Sequence, residues 1–322
     1  MLIDGMQCGF YDRQAFEGLR QGGVSAVTVT CGFWEDALES LDSLAKWRDL
    51  VRENADLAVI ARGAADIEAA HRDGKVAVLL GFQNINCLQG RIRYVEFWAE
   101  LGVRVLQLTY NNQTEAGGSC YEERDGGLTR FGREVVREMN RNGMVVDLSH
   151  VGPQTSLEVI EHSEQPVAVT HSNAMSLYHH KRSKSDELLK ALAAKGGIMG
   201  CATYPNLVGD EYGASLEKWC EMVARTVDIM GIDHVALGTD RRYNAKKSDL
   251  DWVRMGRWTR GIDYGAGSAT RAAPNATPTW CRDLEQFDCF APGLARAGFS
   301  AAEVEALTAG NWLRFYREVM GG

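Results

Sequence analysis

The chain has 322 residues, 45% hydrophobic and 24% charged, which is typical of a soluble globular protein with room for one large domain or two ordinary ones. The net charge of -8, without a compensating stripe of Lys and Arg, argues against a nucleic-acid partner. No segment approaches about 18 uninterrupted apolar residues, so we expect no membrane span. The opening Met-Leu-Ile-Asp-Gly-Met has neither the basic nor the apolar region of a signal peptide, which predicts a cytoplasmic location.

Short apolar runs alternate with longer amphipathic stretches along the chain. The predicted strands are Leu2–Gly5, Ala26–Cys31, Val76–Gly81, Val103–Thr109, Met144–Ser149, Val167–Thr170, Ile198–Thr203 and Val235–Gly238. The predicted helices include Glu35–Asn54, Tyr94–Leu101, Thr129–Arg141, Gln154–His162, Ser185–Ala194 and Leu216–Met230. This alternation indicates parallel strands joined by right-handed crossovers, and eight units predict an α/β fold, a closed (β/α)8 TIM-type barrel in a single domain over residues 1–322. The competing open, doubly wound sheet lacks a Gly-x-Gly-x-x-Gly motif to favour it.

The last part of the chain departs from this alternation. Residues 241–278 are irregular and contain Gly-Ala-Gly-Ser and several prolines. The segment is too long for a simple connection, so we expect a lid or an interface there. Beyond it, Ser300-Ala-Ala-Glu303 has the spacing of a capping box and predicts the start of a helix.

Two neighbouring predicted strands each lead into a histidine. His150 ends Val-Val-Asp-Leu-Ser-His, and His171 ends Val-Ala-Val-Thr-His, 21 residues later. The C-terminal ends of barrel strands are where barrel enzymes form their sites, so the two imidazoles are expected at one mouth. Neutral imidazole is the commonest protein metal ligand, and the pair therefore indicates a metal site, although either residue alone is also typical of a structural histidine. Asp240, at the end of the last predicted strand, lies on the same rim.

These segments carry a resemblance to a known family. The chain resembles the renal (membrane) dipeptidases, metal-dependent hydrolases of the amidohydrolase group. The similarity is densest in Gly102–Tyr110, Gly127–Gly132, Val146–His150, Thr170–Asn173 and Gly231–Asp240. It implies a (β/α)8 barrel that hydrolyses dipeptides at a two-zinc centre and forms a homodimer.

The resemblance also implies roles for individual residues. His150 and His171 stand at the positions that bind the family's second metal. Arg182 stands where the family binds the carboxylate of the substrate. Asp240 stands where an aspartate acts on the hydrolytic water or on the substrate amine.

Several positions depart from the family pattern. Met6 and Cys8 replace the His and Asp that bind the first metal, and Gln83 replaces the glutamate that bridges the two metals. Tyr110 replaces the histidine that polarises the scissile carbonyl, although its hydroxyl can still donate a hydrogen bond there. After Asp240, Arg241-Arg242-Tyr243 replaces Phe-Asp-Gly.

The replaced ligands predict at most one zinc per chain and leave open that none is bound. Two adjacent Zn²⁺ ions need an anionic bridge, whereas Gln83 offers a neutral carbonyl oxygen and Met6 a thioether that suits Cu(I) better. Cys8 has three interpretations. It is a thiolate ligand that completes a one-zinc site with His150 and His171, a small core residue beside an empty site, or a nucleophile with one of the two histidines as its base.

The sequence therefore favours a hydrolase that acts on a small amide or dipeptide bearing a carboxylate, with weak or altered peptidase activity. Arg182 would hold the carboxylate through its planar fork, and Asp240 would transfer a proton. One alternative is a non-catalytic barrel that binds a small anion or stabilises a partner. A second alternative is a metal-free hydrolase that depends on Cys8.

Overall fold

A computed structural model of the chain describes residues 1–245, 249, 252–253, 256–257 and 278–321. Most of the segment 241–278, expected to be a lid or an interface, lies outside the described residues. Within the described part, no helix is both long and apolar enough to cross a membrane.

A parallel sheet forms the centre of the molecule. Its strands are β1 (Ile3–Gly9), β2 (Ala26–Gly32), β3 (Ala58–Ile60), β4 (Val76–Phe82), β5 (Val103–Gln107), β6 (Val145–Asp147), β7 (Ala168–Ser172), β8 (Ile198–Cys201), β9 (Val235–Leu237) and β10 (Arg241–Tyr243). The order across the sheet is β10-β1-β2-β4-β5-β6-β7-β8-β9, with β3 paired to β4 outside this path. The predicted TIM-type α/β fold is confirmed, and the eight predicted strands correspond to β1, β2 and β4–β9. The sequence pattern missed β3 and β10. The Arg-Arg-Tyr segment of β10 is polar and only partly buried, unlike the equally short β6 and β9, which lie in apolar runs.

Helices surround the sheet. They are α1 (Arg13–Gln21), α2 (Ala37–Glu53), α3 (Ala64–Arg72), α4 (Tyr94–Glu100), α5 (Arg130–Arg141), α6 (Pro153–His162), α7 (Asp186–Ala194), α8 (Pro205–Tyr212), α9 (Leu216–Met230), α10 (Phe290–Arg296), α11 (Ala301–Glu305) and α12 (Asn311–Met320). The six helices predicted from periodicity are found to within about two residues at each end. The capping box at Ser300 and Glu303 is present at the start of α11, as predicted.

Helix α12 packs against one end of the barrel. Its Trp312 donates from the indole Nε1 to the carbonyl oxygen of Leu237 in β9 at 2.8 Å. Its Tyr316 hydroxyl lies 3.4 Å from Thr28 Oγ1 in β2. Trp312 and Tyr316 belong to a buried cluster that takes apolar side chains from β1, β2 and β4–β9. Because this helix contacts strands from different sides of the sheet, it seals the barrel and leaves the other end for the site.

The chain after β9 closes the sheet against β1. Thr239 donates its backbone N–H to Asp4 Oδ1 at 2.7 Å, and Asp240 donates its own to the carbonyl oxygen of Met6 at 3.1 Å. The following residues then pair with β1 as β10, with Cys8 opposite Arg242. The close approach requires glycine at Gly238, where a Cβ would lie 1.9 Å from the carbonyl oxygen of Thr170. The connection places Asp240 on the rim of the barrel.

Candidate functional site

The C-terminal ends of the strands surround a cavity of about 680 Å³. Several of the predicted site residues line it, namely Cys8, Gln83, Tyr110, His150, Arg182 and Asp240. Met6 and His171 do not line it, and both side chains are fully buried. These six predicted positions thus lie in the cavity wall, whereas Met6 and His171 lie beneath it.

His150 presents an unprotonated nitrogen to the cavity. Its Nδ1 lies 2.7 Å from Asn111 Oδ1, so Nδ1–H donates to the amide oxygen and Nε2 keeps its lone pair. Its ring lies against that of Tyr110, with centroids 4.2 Å apart. Burial, followed by the positive charge of Arg182, places the pKa of His150 well below the usual value, so the imidazole is neutral at neutral pH.

His171 has the same tautomer for a different reason. Its Nδ1 lies 2.8 Å from Thr170 Oγ1, and that hydroxyl donates to Asp147 Oδ2 at 2.7 Å. Because the hydroxyl proton of Thr170 is already donated to the carboxylate, Nδ1–H of His171 donates to the hydroxyl oxygen, and Nε2 is unprotonated. Nε2 is buried and has no hydrogen-bond partner among the described residues.

Asp147 fixes the two histidine strands relative to each other. Its carboxylate accepts bonds from the backbone N–H and the hydroxyl of Ser149, and from those of Thr170. Ser149 and Thr170 directly precede His150 and His171, so one buried carboxylate sets the ends of β6 and β7. This positioning role was not predicted from the sequence, although Asp147 lies inside the conspicuous Val-Asp-Leu-Ser-His segment.

The donor set does not fit a metal centre of the family type. The rings of His150 and His171 meet, with centroids 5.3 Å apart. However, the described part of the chain contains no group of three His, Cys, Asp or Glu side chains arranged to hold a metal ion. The predicted Cys8–His150–His171 ligand set is therefore not assembled in the structure.

Met6 and Gln83, at two of the replaced ligand positions, are engaged with the protein itself. The Met6 thioether packs in the inner core and accepts a hydrogen bond from Thr30 Oγ1 at 3.3 Å. Gln83 donates from Nε2 to the same Thr30 oxygen at 2.7 Å. Neither side chain supplies the negative charge that a pair of zinc ions needs between them.

The Cys8 thiol is kept protonated by its surroundings. Burial, followed by the nearby negative charge of Asp240, raises the pKa of Cys8 to about 12. Because the thiolate is the nucleophile, this environment argues against Cys8 as a metal-free nucleophile and favours the interpretation of Cys8 as a core residue at a strand end.

We expect Cys8 to resist alkylation by iodoacetamide at pH 7. With a pKa of about 12, only about one thiol in 10⁵ is ionised at that pH. Peptide mass spectrometry after a timed reaction, with free glutathione as the reference thiol, measures the rate. Fast alkylation of Cys8 that is lost in His150→Asn would instead support the nucleophile.

Arg182 is a buried guanidinium that faces the cavity. It donates from Nη1 to the carbonyl oxygen of Ser149 and from Nη2 to that of His171 at 3.4 Å. Its backbone N–H donates to Nδ1 of His180 at 3.1 Å, which fixes the loop after β7. Among the described residues, no carboxylate lies within ion-pair distance of Arg182. The charge is therefore available for a carboxylate ligand.

Asp240 places a carboxyl group in the wall of the cavity, at the C-terminal end of the barrel strands. Its backbone has a positive φ of 55°, a conformation that Asp tolerates better than most residues and that merits attention at a site. Burial raises the pKa of Asp240 to about 6, while the charges of Arg182 and Arg242 act in the opposite direction. A carboxyl that titrates near neutrality is suited to transfer protons.

Tyr110 forms part of an aromatic wall. Its ring centroid lies 4.8 Å from that of Phe33 and 5.3 Å from that of Trp34. Burial holds the pKa of Tyr110 well above its usual value, so the hydroxyl is a neutral donor.

Among the lining residues that were not assigned a role from sequence, Arg242 and Asn111 contact other groups of the site. Arg242 lies over the ring of Tyr204, with its Cζ 5.3 Å from the centroid. Asn111 orients His150, as described above. Both directly follow or closely follow a predicted site residue at a strand end, and that position was the available signal.

The fold and this group of side chains define a TIM-barrel protein of the amidohydrolase type. An amidohydrolase from Pseudomonas aeruginosa has 34% sequence identity, and the match covers 100% of this chain and 97% of that chain with a TM-score of 0.93. The dipeptidase AC, described as a metallo peptidase, has 18% identity and a TM-score of 0.81, which shows the shared fold.

The chain belongs to the membrane dipeptidase family, peptidase family M19, whose family model matches residues 13–248. Dipeptidase aclJ of Aspergillus oryzae is 29% identical over 276 residues, which are 84% of this chain and 58% of that protein. Dipeptidase verJ of Clonostachys rogersoniana is 32% identical over 197 residues, 59% of this chain and 50% of that protein. The chain thus spans about half the length of the curated relatives it matches.

Proposed function

We propose that the chain hydrolyses a C–N bond in a small amide that bears a carboxylate, either an N-acyl amino acid or a dipeptide-like compound, without a two-zinc centre. One observation carries this proposal. Arg182 is a buried guanidinium without an ion-pair partner among the described residues, and it lines the same cavity as Asp240, whose pKa is about 6. A carboxylate receptor thus lies beside a group that can transfer protons.

The side chains allow a balanced hydrolytic step. Arg182 binds the substrate carboxylate, and the Tyr110 hydroxyl donates a hydrogen bond to the scissile carbonyl oxygen. Asp240 accepts a proton from water as the water oxygen attacks the carbonyl carbon, and it returns that proton to the leaving nitrogen as the C–N bond breaks. The products are a carboxylic acid and an amine, and Asp240 is regenerated as a carboxylate.

We expect activity towards ordinary dipeptides to be weak. Tyr110, which is neutral, stands in place of the histidine that the resemblance implies would polarise the carbonyl. The ligands that would support a metal-activated water are also replaced. Loss of a single preorganised oxyanion donor typically lowers the rate about 10²–10³-fold. Turnover of common dipeptides at about 1–10³ s⁻¹, which is normal for enzymes, would contradict the importance of these replacements.

The test combines an activity panel with metal analysis. Dipeptides and N-acyl amino acids are assayed with and without added Zn²⁺, and protein purified without chelator is analysed for metal. We expect slow hydrolysis of a carboxylate-bearing amide and at most one zinc per chain. Two tightly bound zinc ions would show that the interpretation of Gln83 is wrong. Binding of a small carboxylate without turnover would support the non-catalytic alternative.

Two further expectations accompany this proposal. The resemblance implies a homodimer, which light scattering after size-exclusion chromatography would detect. The cytoplasmic location expected from the N-terminal sequence stays a prediction, and fractionation of the source cells would check it.

A further inference from the structure

We propose that Arg242 forms a second anion-binding position in the cavity, so that the preferred ligand carries two acidic groups, one bound by Arg182 and the other by Arg242. This inference deepens the proposed function by naming the substrate class, an acidic N-acyl amino acid or a dipeptide with an acidic side chain, and it rests on that function.

Arg242 and Arg182 are anchored at different places on the wall of one cavity. Arg242 lies in β10 opposite Cys8 in β1, and its guanidinium lies over the ring of Tyr204, which follows β8. Arg182 instead donates to carbonyl oxygens at the ends of β6 and β7. Two guanidinium groups with separate anchoring points in one cavity suit a ligand with two acidic groups better than a single carboxylate.

The Arg242 guanidinium lies over the ring of Tyr204, with its Cζ 5.3 Å from the centroid. This cation–π contact does not use its N–H donors, and the planar fork of Arg suits bidentate binding of an anion. No ion pair to Arg242 is formed by the described residues.

Charged side chains line both the inner and the outer part of the cavity. The inner part carries Arg182 and Arg242 against Asp240. Glu35, on the outer wall, is already bound by the backbone N–H groups of Phe33 and Trp34 at 2.5 and 2.9 Å.

The other charged residues of the outer wall are Glu39, which pairs with Arg257, and Asp42, Lys46 and Asp249. The excess of positive charge is local to the inner part, where two arginines stand against one aspartate, and an anionic ligand bound there would neutralise it.

The position of Cys8 adds a chemical reason for this charge. Cys8 stands where the family resemblance places a ligand of the first metal, and its strand partner here is Arg242. The charge of Arg242 acts on the Cys8 thiol, so a guanidinium cation influences the position at which the resemblance implies a metal cation. Arg242 thus supplies a positive charge on this side of the cavity, and this charge serves to bind an anionic ligand.

The experiment compares ligands that differ by one charge at nearly constant size. Isothermal titration calorimetry measures the Kd of N-acetyl-L-glutamate against N-acetyl-L-glutamine, and of N-acetyl-L-aspartate against N-acetyl-L-asparagine. We expect the wild-type chain to prefer the acidic member of at least one pair about ten- to a hundredfold, the range of a hydrogen bond to a charged group. Arg242→Gln should reduce that ratio to near one, and Arg242→Lys should give an intermediate ratio.

Arg241→Gln is the matched control. Arg241 is the preceding residue and lines, together with Arg242, a second cavity at the surface, but it does not line the cavity that holds Arg182 and Asp240, so its substitution should keep the preference. Circular dichroism melting shows whether each variant is folded. If Arg242→Gln fails to fold, the wild-type ratio and the Arg242→Lys ratio still decide the question.

The outcomes separate this inference from the proposed function. Equal affinity for both members of each pair, or a preference that survives Arg242→Gln, overturns the role of Arg242, while weaker binding of all four ligands in Arg182→Gln still supports the proposed function. If no ligand binds at millimolar concentration, or if Arg182→Gln changes nothing, the proposed function and this inference are both wrong.

Discussion

Asp240→Asn should lower kcat/KM for the amide substrate about 10²–10⁴-fold, the usual contribution of a positioned general base. The amide cannot accept a proton from water, yet it has nearly the same size and can keep the backbone contact between Asp240 N–H and the Met6 carbonyl. Steady-state kinetics on the best substrate of the panel measures the effect. A variant with at least half of the wild-type activity would exclude Asp240 as the base.

The pH profile gives an independent check of the same role. Burial raises the pKa of Asp240 to about 6, against the opposing charges of Arg182 and Arg242, while the more distant Asp4 and Asp147 raise it further. A base must be deprotonated, so kcat/KM should rise with pH through a midpoint near 6 and level off above it.

The contribution of Asp240 to the stability of the fold should change with pH in the direction opposite to kcat/KM. A raised pKa in the folded state means that protonation of Asp240 stabilises the fold below about pH 6, and that this contribution is lost as the pH rises. Asp240→Asn should therefore melt at or above the wild-type temperature at neutral pH, which would separate its loss of activity from unfolding.

Arg182→Ala should lower kcat/KM for a carboxylate-bearing amide about 10²–10³-fold, mainly through KM. Truncation of one partner of a buried charge pair typically costs 2–5 kcal/mol in binding, roughly this range. Arg182→Lys should rescue poorly, because the planar fork is lost even though the charge remains.

The control for Arg182 is a substrate whose carboxylate is replaced by a primary amide. Arg182 also donates to the carbonyl oxygens of Ser149 and His171, so its removal leaves buried acceptors and disturbs the site to some degree. An effect on the carboxylate substrate that greatly exceeds the effect on the amide substrate would indicate binding of the anion. Equal effects on both substrates would show a purely structural role for Arg182.

Much of the fold was accessible from periodicity, because long buried strands and amphipathic helices leave a pattern in the sequence. β1, β2 and β4–β9 were found in this way. The three-residue strand β10 was not, and it is the element that carries Arg242 to the cavity. It was not predictable because Arg-Arg-Tyr is polar, unlike the apolar runs of the equally short β6 and β9, and because its pairing with β1 joins positions more than 200 residues apart.

The site was predictable where a strand ends in a polar residue. His150 and His171 were expected to meet, and their ring centroids are 5.3 Å apart. The tautomer of His171 was not predictable, because it depends on Thr170 and Asp147, which act together through two hydrogen bonds.

The sequence alone determined which chemical groups the rim can offer. Met6, Cys8 and Gln83 cannot supply the carboxylates and imidazole of a two-metal centre, since ligand chemistry is a property of residue type. Only the tertiary structure decided that the Cys8 thiol stays protonated, that Met6 and His171 lie below the cavity, and that Arg242 lies beside it. These properties depend on burial and on the charges that distant strands bring together, because solvation and electric fields arise from neighbours in space and not from neighbours in sequence.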